Sequence, residues 1–510
     1  MRTETAIIRR LLSAMLVVLL FAFAAAAEEE YAEEEYEEEY EDYIDENAMW
    51  YAVRVSDPDG NGGGKSVTLE YNAELDLPQN GEYSWYASNA EGEKGELLAV
   101  TAEPLFETEA FEKPEIRFYL CELAADGQSF EREVFAAGFT GLPLIRIHTE
   151  DEEDIAYPDY YLAGTMTILD GETVQEVPIS VKGRGNATFN YLKKPFTVKL
   201  EEKTSLLGMG KAKKWALLAG WCDKTLLRAA LGFKVSELAG LAYTPDYRYV
   251  DLVVNGEYRG NYMLAETPKE EAKRLDISEG GYLVEETQYD GDNDPSFRTD
   301  KQDLRIRFRS PDGEAVTGQI MEAVSTEING MEQALLALGE DDGLPEQIDA
   351  DSWVNWVLVQ NILANKDTNR YYYKSGAGSK ICMGPAWDFE WSVGIGWYTG
   401  ERPNPNHELT LNTEYVRRLM KNGQFLQKMK ERWSEISPGL EEILVSFMDN
   451  TAREISLSRE LNFCRWTIMN QKIEAGGIPM GSYEAELECD KTFLREHIRW
   501  LDGQIGGLPE

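Results

Sequence analysis

The stretch ISVKGRGNATFNYLKKPFTVKL, residues 179–200, decides how the centre of the chain folds. One strand runs into Gly183-Arg184-Gly185-Asn186, and a second strand returns after the loop. Because side chains alternate along a strand, Phe196 and Val198 share one face and Lys199 lies on the other. The stretch therefore predicts a strand pair with one face buried in the core and the other face exposed to solvent or to a ligand.

The loop of this pair has the composition of an anion site. Its glycines let backbone amides approach an anion, and Lys182, Arg184 and Lys199 could neutralise phosphates around the loop. A tight hairpin with surface lysines would give the same pattern, so the loop alone leaves both interpretations open.

Strand and helix patterns extend outward from this pair. Helical spacing is predicted over 223–241, with Asp223 at the N-cap position, and the segment 255–260 predicts a hairpin turn. Strands then helices along one chain predict an α+β domain over 139–505, with a sheet-rich N-lobe at about 139–290 and a helical C-lobe at about 320–505. The other predicted strands are 142–149, 161–169, 247–255, 259–266 and 280–286, and the other predicted helices are 349–366, 413–436, 438–457, 458–474 and 488–505.

Two acids follow the helical pattern at 349–366. Asp367 comes directly after it, Asn369 follows two residues later, and Asp388 comes 21 residues after Asp367, behind a predicted hairpin. Phosphoryl transfer from ATP needs bases for the phosphates, acids or amides for Mg²⁺, and one carboxylate at the acceptor hydroxyl. The order of these residues suits that chemistry, but a turn cap and a strand-end acid would also explain them. The aromatic residues around Asp388 in MGPAWDFEW, 383–391, are expected to be packing rather than a sugar platform.

The N-terminal part of the chain predicts three further segments. Residues 1–27 have the basic start, apolar run and small-residue end of a secretory signal, which predicts export and no membrane span after cleavage. Residues 28–47 hold 13 acids and no base, which predicts a disordered acidic segment. Short alternating runs over 48–138 predict a small β-sandwich-like accessory domain.

The composition of the chain limits the classes of partner and of cysteine site that can be expected. The net charge of −42 excludes nucleic acid as an expected partner and is compatible with a basic protein or with a merely solubilising surface. The five cysteines have neither CxxC spacing nor nearby histidines, so buried free thiols are expected instead of a zinc site.

The chain resembles the CotH family, the spore-coat-type atypical protein kinases. The resemblance runs from about Leu142 to about Trp397 and rests on motifs in the family's order. These are VKGRGNATFNYLKKPFTVKL, SLLGMGKAKKWALLAGWCDKTLLRAALGF, YTPDYRYVDLVVNGEYRGNYMLAE, GGYLVEE, NKDTNRYYYK and MGPAWDFEW. The resemblance implies a two-lobed kinase-like fold that uses ATP and Mg²⁺, with Mn²⁺ as a possible substitute.

The resemblance also implies roles for individual residues. Asp367 would be the catalytic Asp that accepts the hydroxyl proton, and Lys199 would meet the α- and β-phosphates, with Glu237 as its expected partner. The metal would be held by Asp388, Asn369 and Glu390, although the family usually has Asp at position 390. The remaining nucleotide-binding residues would be Lys182, Arg184, Gly185, Asn186, Lys194 as the alternative lysine, and Glu266 at a hinge.

Three functions are compatible with the sequence. The first is an exported Mg-ATP-dependent kinase that phosphorylates Ser or Thr of a protein partner, for which a basic or Ser/Thr-rich protein is one candidate. The second is another ATP-dependent transfer on the same fold, either glutamylation or AMP transfer, for which the Glu/Tyr-rich segment 28–47 of the chain itself is one candidate acceptor. The third is a non-catalytic coat or envelope binding module.

Overall fold

A computed structural model describes most of the chain. The predicted signal 1–27, the acidic segment 28–47 and the residues Asn186, Asp367 and Asn369 lie outside the described residues. The described residues are 51–55, 66–71, 82–125, 128–185, 187–268, 275–288, 294–365, 370–395, 407, 409, 413–473 and 478–508.

The first part of the described chain is made of strands. A five-stranded sheet has the order β1-β7-β6-β3-β4, and β2 and β5 form a separate pair. Trp85 is fully buried and stacks on Phe106 with ring centroids 5.3 Å apart, so the pair packs against the sheet. The strands are β1 (Tyr51–Val55), β2 (Thr68–Glu70), β3 (Glu82–Ser88), β4 (Leu97–Thr101), β5 (Leu105–Glu107), β6 (Glu115–Ala125) and β7 (Gln128–Phe139).

The central part is a closed seven-stranded barrel, which the sequence did not indicate. Its strands are β8 (Leu144–Thr149), β9 (Leu162–Asp170), β10 (Thr173–Gly183), β11 (Phe196–Thr204), β12 (Ala212–Leu218), β13 (Tyr247–Val254) and β14 (Glu257–Glu266). The order is β10-β11-β12-β14-β13-β8-β9, and β8 closes the barrel by pairing parallel to β13 and antiparallel to β9. Phe196 and Val198 are buried in the barrel core and Lys199 is exposed, which confirms the predicted alternation.

A third sheet follows the barrel, with the order β16-β17-β15-β18-β19. The predicted hairpin before Asp388 is present as the antiparallel pair β18-β19. The strands are β15 (Tyr282–Thr287), β16 (Ser296–Arg298), β17 (Arg305–Ser310), β18 (Arg370–Lys374) and β19 (Cys382–Met383).

Helices dominate the second half, which confirms the α+β class. The helix α2 lies in a segment for which the sequence pattern predicted no helix. The helices are α1 (Arg228–Leu238), α2 (Gly318–Ala337), α3 (Ala350–Ile362), α4 (Glu414–Leu419), α5 (Gly423–Ile436), α6 (Leu440–Glu454), α7 (Ser456–Arg465) and α8 (Tyr483–Gly506). None of these helices is long and apolar enough to cross a membrane. The two-lobed kinase-like arrangement stays a prediction.

Two helices connect the layers. The central helix α3 packs against α1, α5 and α8, and its tryptophans Trp353 and Trp356 are buried in the largest core. Helix α7 packs against the barrel strand β14 and against β1, β6 and β7 of the first sheet. The first sheet, the barrel and the helices are therefore one compact unit over 50–510.

The cysteines form no disulfide. Cys121, Cys222 and Cys489 are buried, whereas Cys382 and Cys464 are half-buried. The prediction of free thiols is confirmed for all five, and burial for three.

Candidate active site

A cavity of about 580 Å³ lies between the outer face of the barrel, the third sheet and the segment after β19. This volume is in the range of small-molecule and cofactor sites. Six cations and six acids line it, although the whole chain carries a net charge of −42. The cations are Lys182, Arg184, Lys193, Lys214, Arg307 and Arg309, and the acids are Asp159, Asp223, Glu285, Asp294, Asp388 and Glu390.

The barrel wall of the cavity includes the predicted loop after β10. Gly185 has a φ of +87°, a left-handed conformation that favours glycine. Gly183 has no room for a side chain, because a Cβ there would lie 2.1 Å from the ring of Phe189. The loop therefore needs both glycines, and Lys182, Arg184 and Gly185 all line the cavity.

Arg184 reaches across the cavity from this loop. Its guanidinium lies 5.4 Å from the ring centroid of Trp387, the residue before Asp388. Burial lowers the pKa of Arg184, and the carboxylate of Asp388 opposes that change. Arg184, on the predicted anion-binding loop, is therefore attracted to the carboxylate of Asp388 on the opposite wall.

Lys199 and Lys194 do not line the cavity. Lys199 is directly opposite Lys214 on β12, and Lys214 does line it. The ammonium groups of Lys182 and Lys199 lie 5.1 and 5.9 Å from the ring centroid of Tyr161. Lysines directly opposite each other on neighbouring strands repel, and a bound anion would relieve that repulsion. Lys199 is therefore at the rim of the cavity, beside a lysine that the sequence reading did not single out.

The lysine that the structure buries in the cavity wall is Lys193, one residue before the predicted alternative Lys194. Lys193 is 1% exposed, and its Nζ donates to the carbonyl oxygens of Ala219 and Asn261, each at 2.6 Å. Burial lowers the pKa of Lys193 to about 7, and nearby carboxylates, chiefly Glu390, oppose the change. Lys194 instead donates to the carbonyl oxygen of Phe189 at 2.8 Å, outside the cavity. In the sequence, KK before a strand gives no signal for which lysine is buried.

The opposite wall holds Asp388 and Glu390. Asp388 is exposed and has a φ of +66°, so it lies in a left-handed turn after β19 instead of continuing the predicted strand. Trp387 and Phe389 are buried and pack on Phe233 of α1, which confirms that the aromatic residues are packing.

Glu390 is the acid whose chemistry is most altered. Its pKa is raised to about 8, first by burial and then by the carboxylates of Asp388 and Asp223. The ammonium of Lys193 and a hydrogen bond with the backbone of Gly220 act in the opposite direction. Three carboxylates that repel one another in one cavity wall are the electrostatic setting that a divalent cation relieves.

The carboxylates of this wall suit one particular mode of Mg²⁺ binding. Among the described residues, no three Asp, Glu, His or Cys side chains already form a metal cage. Mg²⁺ usually binds through one or two carboxylates and completes its coordination with water and phosphate oxygens. Asp388 and Glu390 fit that mode, whereas the predicted third ligand Asn369 lies outside the described residues.

A buried ion pair network fixes Asp223 in the cavity wall. Arg228 binds Asp223 through Nη1 at 2.6 Å and Asp490 of α8 through Nη2 at 2.7 Å, and all three are nearly fully buried. The Asp223 carboxylate also accepts from the backbone N–H of Arg228 at 2.7 Å. The prediction of Asp223 as the N-cap residue is wrong in position, because α1 begins at Arg228 and its N-cap residue is Leu227. The carboxylate nevertheless binds the first helical N–H, from five residues earlier.

Two further predicted acids have other roles. The Glu266 carboxylate is buried and accepts from the hydroxyl of Tyr243 at 3.0 Å and the backbone N–H of Asp246 at 3.2 Å. The next two residues, Thr267 and Pro268, line the cavity. Glu237 is exposed on α1 and pairs with Lys234 at 2.9 Å, so it does not pair with Lys199 as predicted.

The third sheet supplies a charged wall that the sequence reading missed. On neighbouring strands, Glu285 is directly opposite both Arg307 and Tyr371. Its carboxylate accepts from Arg307 at 2.8 Å, from Tyr371 at 3.0 Å and from Arg309. Only the cross-strand register brings these residues together, so no spacing along the sequence could indicate them.

Comparison with known proteins places the chain in a family. The family model described as CotH kinase protein matches residues 181–501, which is more than half of the chain. The matched range includes the loop after β10, the third sheet, α3 and the segment that carries Asp388. A search of the curated proteins found no match.

Proposed function

The chain belongs to the CotH kinase family, and from that premise we propose that it is an exported Mg-ATP-dependent protein kinase acting on Ser or Thr of a protein partner. One observation carries the proposal: a single cavity has Lys182 and Arg184 on one wall and Asp388 and Glu390 on the other. A nucleotide triphosphate needs both groups, because its phosphates are anionic and its Mg²⁺ prefers carboxylate oxygens.

The residues would divide the work as follows. The cations of the barrel wall, Lys182, Arg184 and Lys214, bind and orient the phosphates. Asp388 and Glu390 would hold Mg²⁺, which when bound would supply positive charge to balance the charge on the transferred phosphoryl group. Asp367 is the proposed acceptor of the hydroxyl proton, since it comes two residues after Asn365, whose side chain binds the Asp388 backbone.

A second candidate function is another ATP-dependent transfer, glutamylation or AMP transfer. It is favoured by the wall of Arg307 and Arg309, whose guanidiniums already bind one carboxylate, that of Glu285. Planar guanidiniums suit carboxylates as well as phosphates. The Glu/Tyr-rich segment 28–47 would supply acceptors for such a transfer within the chain itself.

The cellular setting is also part of the proposal. The signal-like residues 1–27 support export to the cell envelope or beyond, and the acidic composition supports a basic protein partner. If charge recruits that partner, transfer onto it falls steeply as salt concentration rises. A rate that does not respond to salt would remove the charge-based recruitment.

The origin of the transferred label tests the function. The mature chain is incubated with Mg²⁺ and ATP labelled at either the γ- or the α-phosphate, and products are mapped by mass spectrometry. A kinase transfers only the γ-label, and Asp388→Ala abolishes the transfer while Asp170→Ala, at the exposed end of β9, does not. Transfer of the α-label or of labelled glutamate would support the second candidate. No transfer together with no stabilisation by Mg-ATP on heating would indicate a non-catalytic module.

A further inference from the structure

The end of helix α3 is built to bring one amide side chain into the core. Ala364 has a φ of +47°, and its N–H binds the carbonyl oxygen of Asn361 at 3.1 Å. The N–H of Asn365 binds the carbonyl oxygen of Gln360 at 3.0 Å. These two bonds are the Schellman arrangement that ends many helices, here with alanine at the left-handed position where glycine is usual. The turn leaves Asn365 completely buried.

The Asn365 side chain connects the helix end to the acid of the opposite segment. Its Nδ2 donates to Oε1 of Gln360 at 3.0 Å and to the backbone carbonyl oxygen of Asp388 at 3.1 Å. Its Oδ1 is buried and has no hydrogen-bond partner within the described residues. A buried amide with an unsatisfied oxygen is costly, so plain packing does not explain why asparagine stands here.

Asp388 is the residue that needs such a contact. Its left-handed φ of +66° is uncommon for a residue with a Cβ and is kept only when surrounding contacts fix it. The following segment is attached to the same helix end, because the N–H of Val393 donates to the carbonyl oxygen of Leu363 at 2.8 Å. Of these attachments, the Asn365 bond is the one that acts on the peptide of Asp388 itself.

We propose that Asn365 is a positioning residue that fixes the backbone of Asp388, and through it the direction of the Asp388 carboxylate, for binding Mg²⁺. The proposal rests on the proposed function, in which Asp388 holds the metal. Asn365 also comes two positions before Asp367 in the sequence. Nothing in the motif NKD distinguishes this asparagine from an ordinary helix-end residue.

The test compares two asparagines of the same helix region. Asn365→Asp removes the donor to Asp388, and Asn355→Asp is the matched control, because Asn355 also donates to a backbone carbonyl, that of Gly240, outside the cavity. Titration of Mg²⁺ at fixed ATP gives the metal concentration for half-maximal nucleotide binding, measured by calorimetry, and half-maximal transfer. Loss of a contact that orients a metal ligand typically costs about 10- to 100-fold in metal affinity or activity. We expect a shift of that size for Asn365→Asp and none for Asn355→Asp.

A purely structural role predicts a different result. It would lower the melting temperature of Asn365→Asp and leave the Mg²⁺ requirement within about twofold of wild type, and that result would overturn the proposal. If Asn365→Asp does not fold, Asn365→Ser, which is uncharged and too short to reach Asp388, is measured in its place with the same expectation. A wild-type chain that neither binds Mg-ATP nor transfers would refute the proposed function and this role together. Normal wild-type activity with an unchanged variant would refute this role alone.

Discussion

The two walls of the cavity are built in different ways. The barrel wall consists of alternate side chains on β10, β11 and β12, with Lys182, Lys199 and Lys214 on one outer face. The opposite wall consists of turns and buried hydrogen bonds around Asp388, Glu390 and the end of α3. A strand wall tolerates exchange of its outward side chains, whereas a wall of left-handed turns depends on each buried contact. Substitutions in the strand wall should therefore change ligand binding more than stability, whereas substitutions in the wall of turns should also change stability.

The largest expected effect comes from breaking the buried ion pair network around Asp223. Arg228 binds Asp223 of the cavity lining, Asp490 of α8 and, through Nε, the carbonyl oxygen of Ser392 at 3.1 Å. Removing one partner of a buried ion pair network costs about 3–5 kcal/mol, because carboxylates are left buried without a cation. Arg228→Met is expected to lower the free energy of unfolding by that amount in urea denaturation.

The control for this substitution is Arg418→Met, which removes a half-exposed surface pair with Glu414 on α4. Exposed pairs contribute about 0–1 kcal/mol. Equal losses of unfolding free energy for the two variants would show that the buried network contributes no more than an ordinary surface pair.

The barrel wall is tested by its opposed lysines. Lys199→Met and Lys214→Met are each expected to raise the Kd for Mg-ATP about tenfold, the loss of roughly one charge-assisted phosphate contact. Lys203→Met, on an exposed position of the same strand as Lys199, serves as the control in the same calorimetric titration. Unchanged affinity in Lys199→Met with a loss in Lys214→Met would show that the phosphates lie deeper than the predicted lysine.

The pH dependence of stability tests Lys193, which lies between the walls. Burial lowers its pKa from 10.5 to about 7, so between these values the unfolded chain binds more protons than the folded chain. Raising the pH through that window therefore increases the contribution of Lys193 to the free energy of unfolding. Lys193→Met lacks this contribution. The melting temperature of the wild type should therefore rise relative to that of the variant from about pH 7 to pH 10. Parallel melting curves across that range would mean that Lys193 stays charged when folded.

The smallest effect is expected at the end of α3. Ala364 has a left-handed φ of +47° that costs a residue with a Cβ roughly 1–2 kcal/mol, partly offset by the extra entropy that glycine loses on folding. Ala364→Gly should therefore stabilise the fold by up to about 1 kcal/mol in urea denaturation. The same change at Ala230, inside α1, should destabilise by about 1 kcal/mol or more. If both substitutions lower the free energy of unfolding, the inference that Ala364 is strained by its left-handed φ is wrong.

The same contrast explains what the sequence could predict. Phe196, Val198 and Lys199 follow a two-residue alternation, and Asn255-Gly256, both at positive φ, make the predicted turn between β13 and β14. Local rules of this kind need only neighbouring residues. The barrel closure by β8, the burial of Lys193 and the charged row at Glu285 depend on partners up to some hundred residues away, as in the pairing of Asp251 with Leu144. No local pattern encodes such pairings.

The site residues divide along the same line. The loop residues Lys182 and Arg184 were found from glycine spacing, and Asp388 from its place after a hairpin. Asn365 carries no such signal, because its importance comes from one bond to the carbonyl oxygen of a residue 23 positions later. Glu390 was singled out as a departure from the family's pattern, while its raised pKa depends on Asp223, which only the fold brings near.

The most direct test of the account is calorimetric titration of the protein with ATP, with and without Mg²⁺, beside Asp388→Asn. The account predicts one nucleotide bound per chain, with an affinity that falls at least about tenfold when Mg²⁺ is removed and equally when Asp388 is replaced. In the variant, Mg²⁺ should make little further difference, since the same interaction has been lost. Binding that ignores both Mg²⁺ and Asp388, or no binding at all, would contradict a metal–nucleotide site between the two walls.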